Sequence, residues 1–458
     1  MSQAAEDAFC IHASRSRHRR ALPLTLAGAA ALAAARRFAT ARAIACGCAL
    51  AILLQPTVRS AQASAFALIE NSGASIGTAY AGVAASAEDA STIYFNPAGM
   101  MFLPQRQVVL AGHLIRPSTK FVDRGSQPPA GQPLGNDGGD ASGLAFIPNN
   151  FATWAVSDRL RLGVGINAPF GLKTDYEAGW IGRYHALKSE VRTVNINPSV
   201  AYRIGDTVSL GAGISIQRAD ATLTNAANLG TGDGRATVKA HDTNIGFNGG
   251  ILVQVTPATR VGAAYRSSIG HTLDGHVSVT NAARTVVSAG SITADLKLPA
   301  SFSLSSFTRL NDRWDVLLDA SWTQWSSFQR LLIIRSDTQA IVQNQPQEWR
   351  DTWRWSAGAN YRWSPELMLR FGVAYDQTPV GDTLRAARVP DGSRTWLAFG
   401  ARYALSRAMS IDAGYAYLFV SDPSVSDLRG TAAGQAGNLV GSYSNNVNIL
   451  SAQVNYAF

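Results

Sequence analysis

Apolar and polar residues alternate one for one over long stretches of this chain, and that period of two restricts its fold more than any other feature. Val208, Leu210, Ala212, Ile214 and Ile216 alternate with Ser209, Gly211, Gly213, Ser215 and Gln217. Met409, Ile411, Ala413, Tyr415, Tyr417 and Phe419 alternate with a set that includes Ser410, Asp412 and Gly414. Leu160, Leu162, Val164 and Ile166 do the same against Arg161, Gly163, Gly165 and Asn167. Such strands fit a soluble sandwich, with the apolar face on a core. They equally fit a membrane barrel, with the apolar face on lipid and the polar face on a lumen. Beyond the N-terminal region no apolar run approaches the roughly 20 residues a membrane helix needs. If the chain spans a membrane it does so with strands, and strands in lipid must close into a barrel to pair every backbone group.

Turn spacing separates the two cases. Tight turns recur at Asp158-Arg159, Gly205-Asp206, Pro257-Ala258, Asn311-Asp312, Ser364-Pro365 and Ser406-Arg407. They are about 40 to 55 residues apart, room for two strands and one long polar loop, the layout of an outer-membrane barrel. Counting strands from Arg106 predicts fourteen, an even number that returns both ends to the periplasmic side. Trp314 and Trp322 share a face with Val316, Leu318 and Ala320 between them. Eight strand residues rise roughly 26 Å, or about 20 Å of membrane depth once tilted, which suits an aromatic residue at each interface. Trp355, Tyr361 and Trp363 bracket Ala357 and Ala359 in the same way. The last strand presents Leu450, Ala452, Val454, Tyr456 and Phe458 on one apolar face. With its terminal aromatic pair, Tyr456 and Phe458, it resembles the signal read by the barrel-insertion machinery. The expected fold is all-β: a transmembrane antiparallel β-barrel of about fourteen strands over residues 106–458.

Residues 1–63 read as a signal peptide with an N-terminal extension, removed on export. Arg36, Arg37 and Arg42 precede the apolar stretch Ala43 to Leu54, and Ala61-Gln62-Ala63 follows as a small-x-small cleavage site. The order of charge, apolar run and cleavage site is that of a secretory signal, and the run is too short for a membrane anchor. The same region explains the net charge of +9: it holds eight arginines against Glu6 and Asp7, leaving 32 basic and 29 acidic residues beyond it. A basic charge that would otherwise hint at nucleic acid reflects the presequence, and no nucleic-acid partner is expected. Cys10, Cys46 and Cys48 also lie there, so the remaining chain has no disulfide, thiolate nucleophile or cysteine metal site.

Between cleavage site and first strand lies a small-residue segment, residues 64–105, without alternation. The lumen of a fourteen-stranded barrel is too wide to be filled by its own side chains, so this segment is expected to fold inside as a plug. Ser64-Ala65-Phe66, then Ile76-Gly77-Thr78-Ala79-Tyr80-Ala81-Gly82, Asp89-Ala90 and Asn96-Pro97-Ala98-Gly99 resemble the N-terminal hatch of the FadL family. These are outer-membrane long-chain fatty acid transport proteins, with relatives such as TodX that admit aromatic hydrocarbons. A second block, Ala168-Pro169-Phe170-Gly171-Leu172-Lys173, continues through Trp180-Ile181-Gly182-Arg183-Tyr184 to Asn197-Pro198-Ser199-Val200-Ala201-Tyr202. The resemblance covers nearly the whole mature chain. It implies passive uptake without a hydrolysed energy source: an extracellular groove, an inner pocket, a hatch that rearranges, and lateral exit beside a kinked strand. Hatch residues Phe66, Asn96, Pro97 and Ala98 are the candidates to meet ligand.

The kink has its own warrant. Pro169 follows directly on the third strand and cannot donate to a ladder; Gly171 weakens pairing further. An unpaired stretch facing lipid is costly unless it lines a cavity, so Pro169, Phe170 and Gly171 read either as the wall beside a portal or as the plain end of a strand. From Lys173 to Lys188 the chain mixes Tyr176, Trp180 and Tyr184 with Lys173, Arg183 and Lys188. That is either an amphipathic mouth, aromatics for an acyl chain and cations for a carboxylate, or a solvated loop. No one cation stands out. Each buried CH₂ contributes about 0.8 kcal/mol, so an acyl chain gains from an apolar pocket and from delivery straight into lipid. The ligand is expected to be a fatty acid or another hydrophobic small molecule, the chain a monomer in outer-membrane lipid, with no cofactor or metal. An outer-membrane enzyme would need a nucleophile with its base. His113, His185, His241, His271 and His276 sit in no such motif, and Gly-x-Ser-x-Gly is absent from the mature chain. An adhesin or receptor remains the rival of another class, a diffusion porin a weaker one.

Overall fold

The computed structural model describes residues 65–230 and 232–458. The signal peptide, its cleavage site and Ser64 lie outside the described residues. Twenty strand segments pair in one antiparallel sheet, and six pairs of segments share a crossing, which makes fourteen crossings. β1 (Arg106–Asp123) and β2 (Ala145–Ala155) come first. The third crossing is divided into β3 (Leu160–Asn167) and β4 (Gly171–Asp175), and β5 (Lys188–Ile204) returns. β6 (Val208–Asn228) and β7 (Asp233–Thr256) form the longest hairpin. The next two crossings divide into β8 (Thr259–Arg266) with β9 (Ile269–Thr280), and β10 (Val286–Leu298) with β11 (Ser301–Arg309). β12 (Trp314–Thr323) continues as β13 (Arg330–Arg335), and β14 (Ile341–Pro346) leads into β15 (Thr352–Arg362). β16 (Leu367–Asp376), β17 (Arg394–Ala404), β18 (Met409–Val420) with β19 (Ser424–Leu428), and β20 (Asn438–Ala457) complete the circuit.

Closure is made by β20 against β1, in register from Gln107↔Ala457 to Asp123↔Gly441. A closed sheet leaves no edge for lipid to meet. All six expected tight turns join neighbouring crossings on one side. Alternation sorts the side chains as expected: Leu210, Ile214, Phe247, Leu304, Leu318, Phe399 and Leu450 are exposed on the outer wall, while Ser215, Gln217, Asn248, Asn360, Asp412 and Gln453 are buried inside. Trp314, Trp355 and Trp363 are exposed outside, as are Tyr456 and Phe458. Among the described residues no helix is long and apolar enough to cross a membrane.

Residues 65–105 fill the lumen with helices of one or two turns at Ser75–Thr78, Val83–Ser86, Thr92–Phe95 and Pro97–Phe102. Such short helices leave their carbonyls without internal partners. The wall supplies donors around the circuit. Arg370 donates to Ala74 O (2.7 Å), Arg354 to Ala79 O (2.7 Å), Arg260 to Ser86 O (2.7 Å), Arg266 to Tyr94 O (2.9 Å) and Arg203 to Met101 O (2.5 Å). Glu88 pairs with Arg370 at 2.6 Å, and Arg370 with Asp412 at 2.8 Å.

Glycines on the lumenal face let plug backbone touch wall backbone. A Cβ on Gly372 would lie 2.1 Å from the carbonyl carbon of Thr78, and one on Gly211 2.2 Å from the nitrogen of Ala98. Neither contact is with a flexible side-chain tip. Gly372→Val is therefore expected to displace the Ser75–Thr78 turn at a cost of about 1–3 kcal/mol or more, while the outer wall is unchanged. The barrel should still show heat-modifiable gel migration, with new protease cleavage inside residues 72–82. Cleavage equal to that of the unaltered protein would refute this packing.

Candidate functional site

Above the plug the wall strands turn apolar on the inside. Leu172, Leu223, Val238, Leu273, Leu296 and Ile333 face one another across the lumen and border an apolar cavity. Ser189, Gln347 and Arg388 also border it. Gln347 is oriented by the Trp349 indole, whose N–H donates to its Oε1 at 3.1 Å.

Arg388 is 4 % exposed. It lies on the segment between β16 and β17. Its Nη1 reaches Ser189 Oγ at 3.1 Å and the carbonyls of Lys188 and Thr224 at 3.4 Å, its Nη2 reaches Asn225 Oδ1 at 3.5 Å, and its Nε has no partner among the described residues. Only the first is within the ordinary hydrogen-bond range. Among the described residues no carboxylate stands within ion-pairing distance of it. Burial pulls its pKa down to about 9, Arg429 adds to this, and Asp427 and Tyr176 oppose it. The guanidinium is still charged at neutral pH, so an anion entering the cavity would relieve a buried charge.

The floor of the cavity is Phe66, from the first described residues of the plug. Its ring packs against Trp325 (centroids 4.7 Å), Trp349 (5.6 Å), Phe328 (5.8 Å) and Phe170 (6.1 Å). Below this aromatic partition lies a second chamber, bordered by Phe170, Trp325, Pro169, Leu68 and Arg354. Phe66 thus stands between an upper apolar cavity and a lower chamber against the plug.

The third crossing is interrupted at Ala168–Phe170 and resumes as β4, so the strand neither runs through nor simply ends. β2 pairs with β3 only up to Asn150↔Ile166, and β4 pairs with β5 alone. Residues 145–149 and 168–174 therefore face each other without a ladder, a gap bounded above by Asp175 N–H donating to Ala141 O (2.8 Å). The plug covers the gap from within. Leu68 N–H donates to Pro169 O (2.8 Å), and Gly171 N–H to Phe66 O (2.9 Å). Asn149 Nδ2 reaches Glu70 O at 2.6 Å, and Asn167 Nδ2 reaches Asn71 Oδ1 at 2.8 Å. The segment that carries the floor of the cavity is the one bonded to the break in the wall.

The other residues singled out by the sequence, among them the six between Lys173 and Lys188, fall outside this cavity. Tyr176 stacks on Trp180 (3.9 Å, 6°) and is bonded through its hydroxyl to Ala387 O at 2.8 Å. Trp180 is fully buried and donates to Ala186 O at 2.7 Å. Arg183 pairs with Asp233 at 2.7 Å, Tyr184 bonds the same carboxylate, and Lys188 pairs with Glu190 at 2.8 Å. Lys173 is half-buried near Gly143. None of the six borders the apolar cavity, because the aromatics pack on one another and Arg183 and Lys188 are spent on carboxylates. They form a folded cap. Asn96, Pro97 and Ala98 do not border the cavity either. Asn96 Nδ2 bonds Ala84 O (2.7 Å) and Ile251 O (3.0 Å), and its Oδ1 accepts from Ala98 N–H (3.1 Å), so it stitches the plug to the wall. Arg388 and Gln347 escape a reading by periodicity, since they sit in irregular segments where no alternation marks which way a side chain faces. Among the described residues no cluster of metal-ligating side chains occurs.

The family model described as outer membrane protein transport protein (OMPP1/FadL/TodX) matches residues 57–458. Outer membrane protein P1 of Haemophilus influenzae is 29 % identical over 464 aligned positions, covering 90 % of this chain and 98 % of that protein. The long-chain fatty acid transport protein of Escherichia coli K12 is 27 % identical, covering 81 % of this chain and 91 % of that protein. The crystal structure of a Pseudomonas aeruginosa FadL homologue superposes with a TM-score of 0.79 at 27 % identity, covering 86 % of this chain and 99 % of that one.

Proposed function

The chain belongs to the OMPP1/FadL/TodX family of outer-membrane transport proteins, and from that premise we propose that the hydrophobic compounds it carries are long-chain fatty acids. The observation that carries the choice is Arg388: a buried cation with no carboxylate partner among the described residues, on the border of an otherwise apolar cavity. A long-chain carboxylate satisfies both features at once, since its chain displaces water from the apolar walls and its head group pairs with the guanidinium. An aromatic hydrocarbon would leave the charge unrelieved. The ligand settles in the upper cavity, displaces Phe66, passes into the lower chamber and leaves sideways through the gap at Ala168–Phe170. The plug segment that moves is the one hydrogen-bonded across that gap, so opening the floor and uncovering the gap are a single event. No cofactor takes part, and the protein works as a monomer, brought to its membrane by the insertion machinery through Tyr456 and Phe458.

Uptake of labelled oleate and labelled toluene by cells lacking their own hydrophobic transporters tests this. Oleate uptake that is lost when residues 64–99 are deleted, at equal barrel insertion, is the expected result. Toluene uptake alone would move the protein to hydrocarbon transport. Uptake of neither would sink the assignment and return the adhesin reading.

A further inference from the structure

The wall has another break, and this one opens on the upper cavity. The ladder between β10 and β13 runs only from Ile292↔Arg335 to Ala294↔Ile333. Pairing on that side resumes at Ser301↔Thr323, with Gln324 N–H donating to Ala300 O at 2.9 Å just above it. Residues 295–299 and 325–332 thus face each other unpaired. On its other edge β10 is fully laddered to β9, from Asp295↔Thr272 to Leu298↔Ile269. The far side of the break is the turn at Trp325–Ser327, and its bonds lead away from β10: Ser326 N–H to Asp351 Oδ1 (2.9 Å) and Gln347 N–H to Gln329 O (2.8 Å). By contrast, the interruption at Ser267–Ser268 is stitched, since Ser267 bonds Phe247 through both its N–H and its Oγ at 2.9 Å.

Both edges of the β10–β13 break are also walls of the apolar cavity. Leu296 and Leu331 border it from the two sides, and so does Asp295, which is exposed on the outer wall. Only one side-chain layer separates the cavity from the outside here. Height matters too. Phe302 and Leu304 are exposed on the outer wall of β11, and Lys297 is the next exposed charge up the same crossing. The break therefore begins where the lipid-facing belt ends. Arg330 is exposed on its opposite edge. Unpaired backbone at this level is costly unless it lines a cavity, and with Lys297 and Arg330 outnumbering Asp295 a net-positive rim at a lipid interface attracts anionic head groups.

We propose that the β10–β13 break is a side doorway through which single-chain anionic amphiphiles dissolved in the outer leaflet reach the apolar cavity. The chain slides between Leu296 and Leu331 while the head group moves from Lys297 and Arg330 toward Arg388. The doorway leads to the cavity above the Phe66 partition, whereas the gap at Ala168–Phe170 borders the chamber below it, so the two openings lie on opposite sides of the closed floor. The inference rests on the fatty-acid reading of the cavity.

The test uses the purified protein in lipid vesicles with a diazirine-bearing palmitate, supplied either within the bilayer or from water on albumin. Labelled cavity peptides are counted by mass spectrometry. Extending the Ala294↔Ile333 register places Leu296 opposite Leu331, and the cysteines of the sequence are confined to Cys10, Cys46 and Cys48. A Leu296→Cys/Leu331→Cys disulfide should lower the ratio of leaflet-delivered to water-delivered label by about tenfold, with recovery on reduction, because chain entry needs this unpaired stretch to part. Leu331→Glu, which places a negative charge in the doorway without a cross-link and so repels the anionic head group, should lower the same ratio. An unchanged ratio in both variants overturns the doorway and leaves the fatty-acid reading standing. Absence of label from either source in the unaltered protein overturns both.

Discussion

Replacing Arg388 with Leu is expected to weaken long-chain fatty acid binding by roughly ten- to a hundredfold while leaving the barrel as stable as before, or more so. A hydrogen bond to a charged group is worth about 1.5–3 kcal/mol, and each 1.4 kcal/mol is about a factor of ten in Kd. The acid loses this, whereas a fatty alcohol of equal length should bind both proteins alike. The stability side has the opposite sign. The guanidinium is buried with one ordinary hydrogen bond, to Ser189, three long ones, and an Nε without a partner among the described residues, so an apolar side chain of similar volume removes a poorly compensated charge. Titration of a fluorescent fatty acid, with acid and alcohol as competitors, separates the two contributions. If acid and alcohol weaken together, Arg388 shapes the cavity and does not select for charge. If neither weakens, the anion site lies elsewhere.

The second large effect is expected from Phe66→Ala. Phe66 is 3 % exposed and packs against four other aromatic side chains. Truncating a buried Phe costs about 3–5 kcal/mol, comparable to what the four bonds between residues 66–71 and the wall supply together at about 1 kcal/mol each. The leading segment of the plug should then detach from the gap while residues 74–104 stay fixed by the wall arginines. Hydrogen exchange reads this directly: the amides of Leu68 and Gly171, which bridge plug and wall, should lose protection together, and amides of the Val83–Ser86 turn should keep theirs. The upper cavity and lower chamber would join, so hydrophobic solutes should cross faster and with weaker saturation. Phe66→Leu, which keeps an apolar floor, should fall between. Unchanged protection at Leu68 and Gly171 would mean that the ring is packing filler and the gap is held by other contacts.

Much of this architecture was legible in the chain because a barrel wall is built from local rules. Alternation along β6, β12, β18 and β20 decides which residues meet lipid, and the six tight turns decide where crossings end. The interruption at Pro169 was legible for the same reason, since a missing N–H is a covalent property of one residue. The candidate site was less legible. Tyr176, Trp180, Arg183 and Lys188 have the composition of a ligand mouth, yet their partners, Ala387, Ala186, Asp233 and Glu190, turn them inward, and two of the four are distant in sequence. Arg388, in contrast, sits in a stretch with no period to read, next to other arginines.

The sequence by itself determined the period of two, the number of crossings, the polarity of the two faces and the weak point at Pro169. Each depends on covalent geometry and transfer to lipid, which act residue by residue. Only the tertiary structure decided that the cation on the border of the upper cavity has no carboxylate partner among the described residues, that Phe66 closes the floor between two chambers, and that the ladder lapses between β10 and β13. Those depend on which groups from distant strands converge in one space, and on the pairing that convergence leaves unmade.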